Sequence, residues 1–323
     1  MTPRCGRLRP AMVIAACAVR LAAQTGDFAL VGSIPGPADL VTVQGTRAYV
    51  AAGKTLTIVD ISNPAVPRRA GTYSFPELIW GLAADGSTVY VAADTYGLGI
   101  LDVSNPASPV LRSAVKTRGQ VKNVALFNGK ALVADHVAGI SVIDVSTANP
   151  TLVGSFFVDG FAKDVVTRGT LAYALDQPSG FYVFDLARSG SFEPAATLTL
   201  ANPIPLRAQL AVSEASPKAG ARVAVVAGSG PLQVYEVSNP LKPTHSITYR
   251  TPGAALRVSL QGTRAFVADG PAGLQVVDLS TPSKPRIVGS YKTETPARDV
   301  AVADSLVFVV VASGDVLILR RSD

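Results

Sequence analysis

The chain is poor in the side chains that most enzymes and metal proteins rely on. Of its 323 residues two are cysteine, two are histidine and one is tryptophan. Both cysteines, Cys5 and Cys17, lie in the first 17 positions, so the body of the protein has no disulfide, no thiolate nucleophile and no cysteine-ligated metal. His136 and His245 stand alone, without zinc-ligand spacing or a Ser-His-Asp pattern around them. GxSxG, HExxH, Walker and dinucleotide fingerprints are all missing. Charged residues make up only 16%, and no basic run occurs after the first segment, which argues against nucleic acid as a partner.

The first 25 residues are unlike the rest. Arg4, Arg7 and Arg9 precede an apolar run from Ala11 to Val19, and no acid appears before Asp27. This segment resembles a secretory signal peptide cleaved after Ala23. Ile14-Ala15-Ala16-Cys17 also resembles a lipobox, in which Cys17 would carry a lipid anchor. A mis-assigned start, leaving a cytoplasmic protein, is the third reading. Nine apolar residues are too few for a spanning helix. The segment holds four arginines and no acid, so without it the formal charge falls from +6 to +2. The expectation is an extracytoplasmic protein, periplasmic, secreted or at the cell surface.

What the chain has in abundance is repetition. The stretch 273–291 reads GLQVVDLSTPSKPRIVGSY. A short β-branched run ends at Asp278, two prolines three residues apart force a corner, and a second apolar run follows. Copies begin at Leu56, Leu98 and Leu232, with a looser one at Ile140. The closing residues are Asp60, Asp102, Asp144, Asp185, Glu236 and Asp278, spaced by 42, 42, 41, 51 and 42 residues, and a further 42 reaches Arg320. Asp60, Asp102, Asp144 and Asp278 read as turn residues that accept backbone N–H bonds before Ser-Asn-Pro. An apolar residue opens another strand 20 positions before each, at Leu40, Leu82, Val124, Val165, Val258 and Val300; the fifth unit has Leu210, at 26. A period in this range with strand signals only predicts propeller blades. The expected fold is all-β, a seven-bladed propeller of four-stranded antiparallel blades over 27–320. Residues 27–34 (DFALVGSI) match the last strand of a unit, RIVGSY, so they are expected to complete the final blade. Residues 212–222 lengthen one turn of the fifth unit, as a tolerated insertion or a partner-binding loop.

The segments LTIVD, LGILD, ISVID and LQVVD, each leading into D-[VIL]-S-[NT]-P-x-x-P, resemble the LVIVD repeat family. That resemblance implies a propeller that is commonly extracytoplasmic or on the cell surface, with no general biochemical activity. A WD-type propeller is disfavoured, because no Gly-His or Trp-Asp pair occurs.

In a propeller the innermost strands line a central channel, and ligands sit in its mouth. The residues before the landmark positions form the candidate ring: Asp39, Asn123, Asp164, Arg257 and Asp299, with Gly81 and Gln209. One residue earlier stand Trp80, Lys163 and Arg298. A polar mouth of this kind suits a small polar molecule, a glycan or a metal. Asp39, Asp164 and Asp299 would also supply oxygen ligands to calcium or another divalent cation. The competing expectation is that these acids pair with Lys122, Lys163, Arg257 and Arg298 or hold strand-entry backbone. The preferred function is a non-enzymatic, monomeric protein- or glycan-binding module with no required cofactor. The alternative is a periplasmic hydrolase or lactonase-like enzyme, which needs two or more of Asp39, Asn123, Asp164 and Asp299 to converge.

Overall fold

The computed structural model describes residues 27–178, 180–188, 193–204, 208–213 and 223–322. The leader-like segment, Cys17 and residues 214–222 of the fifth-unit turn lie outside them.

Among the described residues, 28 strands form seven four-stranded antiparallel sheets. Six are built from consecutive strands, at 40–74, 81–115, 123–156, 161–199, 209–249 and 257–291, called blades 1 to 6. The seventh takes three strands from 297–321 and its outermost strand from Phe28–Ile34, which pairs antiparallel with Val316–Arg321. The sheets stand in a ring. Each innermost strand touches the innermost strands of the blades before and after it, and the strand Ala297–Ala303 touches Leu40–Gln44 to close the circle. A ring of six would leave one sheet without a place. The apolar core gives the same count, because it is divided into seven clusters, one astride each blade junction.

Local chemistry explains the repeat. The second strands carry small residues such as Ala48, Ala92, Ala131 and Ala265, fully buried, where neighbouring sheets approach most closely. At the corner after the third strand, Asp60, Asp102, Asp144, Asp185 and Asp278 each accept the backbone N–H two residues on, at 2.8–3.0 Å. Asn63, Asn105 and Asn239 repeat the same local bond one step later. For Asp60, Asp102, Asp144 and Asp278 these are the turn roles the sequence assigns.

The Pro corner also clasps the neighbouring blade. A Cβ added to Gly32 would collide with the Pro64 carbonyl oxygen, and one added to Gly71 would collide with that of Pro106. The outer strand of one blade therefore seats the corner of the next, and only a hydrogen side chain fits between them. Gly71→Ala is expected to destabilise the protein by about 1–3 kcal/mol, read from chemical denaturation, because backbone rather than a side-chain tip must move aside.

A second repeated device sits under the links between blades. Asp135 accepts from Thr117 Oγ1 at 2.6 Å and from the Gly119 amide at 3.2 Å, and Asp269 accepts from Thr251 Oγ1 and, at 2.9 Å, the Gly253 amide. Both carboxyls are buried, which pushes them above the usual carboxylate range. Asp176 does the same for the Gly160 and Gly180 amides. Blade 7 has Val311 where this acid belongs, and the hydroxyl of the matching Thr293 is buried without a partner.

Candidate functional site: the channel mouth

Register decides which side chains face the channel. Val41, Leu82, Val124, Val165, Leu210, Val258 and Val300 occupy one level, opposite Val50, Val91, Val133, Ala174, Val226, Val267 and Val309. The ring residues are those just before them: Leu40, Gly81, Asn123, Asp164, Gln209, Arg257 and Asp299, all of which line a channel of about 460 Å³.

Two residues expected in the mouth lie elsewhere. Asp39 is not in the ring; it is exposed, and its Oδ2 accepts the Gly53 amide at 2.9 Å. Blade 1 joins its second and third strands through Gly53-Lys54 alone, whereas blade 6 uses the longer link 269–273. Counting back 20 residues from Asp60 therefore lands one position early. Arg298 is exposed as well, because the strand shifts register between Ala297 and Asp299 and leaves it as the extra residue. Asn123, Asp164, Arg257 and Asp299 do face the channel, and Trp80 and Lys163 line its entrance.

The ring carboxylates hold the blades together. Asp299 Oδ2 accepts the Val41 amide at 2.9 Å, Asp164 Oδ2 accepts the Leu210 amide at 2.6 Å, and Gln209 Oε1 accepts the Val258 amide at 2.9 Å. In each case the amide belongs to the same level of the next blade. Asp164 is fully committed, since its Oδ1 takes the Val165 amide at 2.8 Å and the Asn123 side-chain amide. Burial pushes the Asp164 carboxyl up to about 6, against the pull of its donors and of Arg257. Burial also raises Asp299, with Arg257 and the Val41 amide opposing. A hard cation here would have to displace N–H donors from both carboxylates, so the donor set does not fit the calcium expectation. Among the described residues no three His, Cys, Asp or Glu side chains are grouped to hold a metal.

The entrance above the ring is cationic and aromatic. Lys122 Nζ lies 3.0 Å from Asp94 Oδ2 and 4.4 Å from the centre of the Trp80 ring. Trp80 Nε1 donates to the same carboxylate oxygen at 2.6 Å. His136 is half-buried and stacked on Phe161, with centroids 4.5 Å apart and planes within 9°. Burial together with Lys163 and Lys122 lowers its pKa. Lys163 is only 6% exposed, with Nζ 5.8 Å from the Phe161 ring. Phe161 gives no sequence signal, because the equivalent positions in other blades carry Gln120, Ala254 and Pro296 and so show no repeated aromatic.

A closed ring of four-stranded sheets around a narrow polar channel defines a β-propeller. Models of the LVIVD repeat match residues 35–74, 79–117, 118–158 and 252–293, half of the chain, and the chain belongs to the LVIVD repeat family. These are blades 1, 2, 3 and 6; blade 4 has lost the proline corner, and blade 7 ends before one. No curated protein matches the sequence. Among solved structures, a chain of the mitotic checkpoint complex is similar at 12% identity and a TM-score of 0.73, covering 95% of this chain and 99% of that one. The Cps50 (Swd1) β-propeller domain from Myceliophteria thermophila is similar at 13% identity and 0.72, covering 91% and 99%. BamB from Moraxella catarrhalis gives 14% and 0.59, covering 91% and 99%. At these identities the likeness is one of fold.

Proposed function

We propose that the protein is a non-enzymatic interaction module working outside the cytoplasm, and that it docks a protein partner on blade 3 and the passage into blade 4. One observation carries this reading. Among the described residues eleven large apolar side chains are exposed, and five of them, Val137, Leu152, Val153, Phe157 and Phe161, fall on blade 3, the link leaving it and the first residue of blade 4. Val137, Leu152 and Val153 line one groove. Val137 is 63% exposed and Phe157 64%. Clustered exposure of this kind marks an interaction surface more often than scattered single residues do. Protein is favoured over glycan because the aromatic rings of the mouth are already engaged, Trp80 under Lys122 and Phe161 under His136. The enzyme alternative is not favoured, because Asp164 and Asp299 hold backbone and Asp39 lies elsewhere. The extracytoplasmic placement rests on the leader-like residues 1–25. Among the described residues no helix is long and apolar enough to cross a membrane.

The test is photo-crosslinking from position 157 in the native host, compared with the double variant V137D/L152D carrying the same crosslinker. Discrete protein adducts that disappear in the double variant, at an unchanged unfolding midpoint, are expected. Adducts that persist unaltered, or none at all, would remove this reading.

A further inference from the structure

We infer that the channel mouth is a binding site for a small anion, a ligand carrying a carboxylate or phosphate group that is gripped by Lys163 and Lys122. This goes beyond the docking surface, with which it shares Phe161 as a flank.

Lys163 is more than nine-tenths buried and lines the channel, yet among the described residues no carboxylate and no hydrogen-bond acceptor reaches its ammonium. Other buried polar groups around it are satisfied: Lys122 has Asp94, Asp164 has three N–H donors, and Asp135 has two hydroxyls and an amide. The stem of Lys163 is buried while its ammonium opens on the channel, a positive charge at the wall without a counter-charge from the described residues. Consistent with this, burial and the nearby charge of Lys122 both lower the Lys163 pKa.

The surroundings favour an anion from solution as that counter-charge. The charged channel lining consists of Lys122, Lys163, Arg168 and Arg257 against Asp164 and Asp299. Both of those carboxylates are turned to amides of the neighbouring blades and are not free to turn to Lys163. Cationic walls in a narrow, low-dielectric cleft concentrate anions. Two lysines coupled to each other, one over Trp80 and one beside Phe161, leave a positive pocket with aromatic flanks. The channel of about 460 Å³ has room for a compact ligand.

Calorimetric titration of the full chain at low ionic strength tests this, with inorganic phosphate and glucuronate as probes and glucose as the neutral control. Saturable binding of one or both anions is expected, with glucose silent. Phosphate alone would assign a phosphoryl ligand, glucuronate alone a carboxylate, and both a site that reads charge. Lys163→Met should weaken binding by about tenfold or more, and Lys163→Arg should largely retain it. If the methionine variant does not fold, Lys163→Gln serves the same purpose. Absence of binding by both anions, or unchanged affinity in the folded variants, would overturn the inference while leaving the crosslinking result at position 157 untouched.

Discussion

Deleting residues 27–34 is expected to abolish cooperative folding of the ring and to make the protein aggregate. The strand Phe28–Ile34 is the only outermost strand that its blade has, and it pairs from Phe28↔Arg321 to Ile34↔Val316. Its two ends serve different junctions. Phe28 packs with Phe266 and Leu319 between blades 6 and 7, and Ile34 with Phe308 and Val316 between blades 7 and 1. Removing it opens two of the seven apolar clusters and bares the apolar strand Val316–Arg321 as an unpaired edge, a template for aggregation. Phe28→Ala is expected to cost about 3–5 kcal/mol and Ile34→Ala about 2–5. The deletion loses both contributions and the ladder, which is comparable to the whole stability of a typical domain, about 5–15 kcal/mol. Urea unfolding followed by circular dichroism, with light scattering alongside, measures this. A deletion variant with the wild-type midpoint would mean that blade 7 closes without its fourth strand.

This seam is legible from residues alone, because DFALVGSI carries the same apolar pattern and Gly-Ser ending as RIVGSY, and pattern sets which face of a strand is buried. The corner acids are legible for a similar reason: an Asp followed by Ser-Asn-Pro can satisfy its oxygens within three residues. The channel ring is only partly legible. Asn123, Asp164, Arg257 and Asp299 emerge by counting back from the corner, but Leu40 does not, because a hairpin link that brings its paired residues one position closer moves the count to Asp39 without changing the strands. Arg298 and Lys163 hold equivalent extra positions in their strands, and one points out while the other is buried. No spacing rule separates them, since the difference arises from what the adjoining blades place alongside. The Asp164–Leu210 and Asp299–Val41 bonds are invisible in the sequence for the same reason: their partners are 46 and 258 residues away.

The bond from Asp164 has a consequence for pH that runs opposite to ordinary acid denaturation. Its carboxyl titrates near 6 in the folded protein, against the ordinary 3.8, with burial as the main cause. Between those values the folded state keeps a proton that the unfolded chain has released. The stabilisation tied to that proton is complete below about pH 4 and is lost as the pH rises through about 6. Two units correspond to about 3 kcal/mol. Burial raises Asp135, Asp269 and Asp299 too, so their contributions have the same sign. The corner acids act in the reverse sense at a lower pH. Hydrogen bonds from Ser104 and Arg112 hold Asp102 at about 2, and those from Ser62 and Ser146 lower Asp60 and Asp144, so their support is present above about 4 and is lost as the pH falls below it. Stability measured by urea unfolding is therefore expected to fall between pH 4 and pH 7. Asp164→Asn, which cannot titrate, should flatten that slope by up to about 3 kcal/mol. Asp164→Ala should flatten it as well, and at pH 5 should cost about 2–4 kcal/mol, because the Leu210 and Val165 amides lose their buried acceptor. Parallel pH profiles for the wild type and Asp164→Asn would show that this carboxyl titrates normally, and that the blades are joined here by an ordinary charged acceptor.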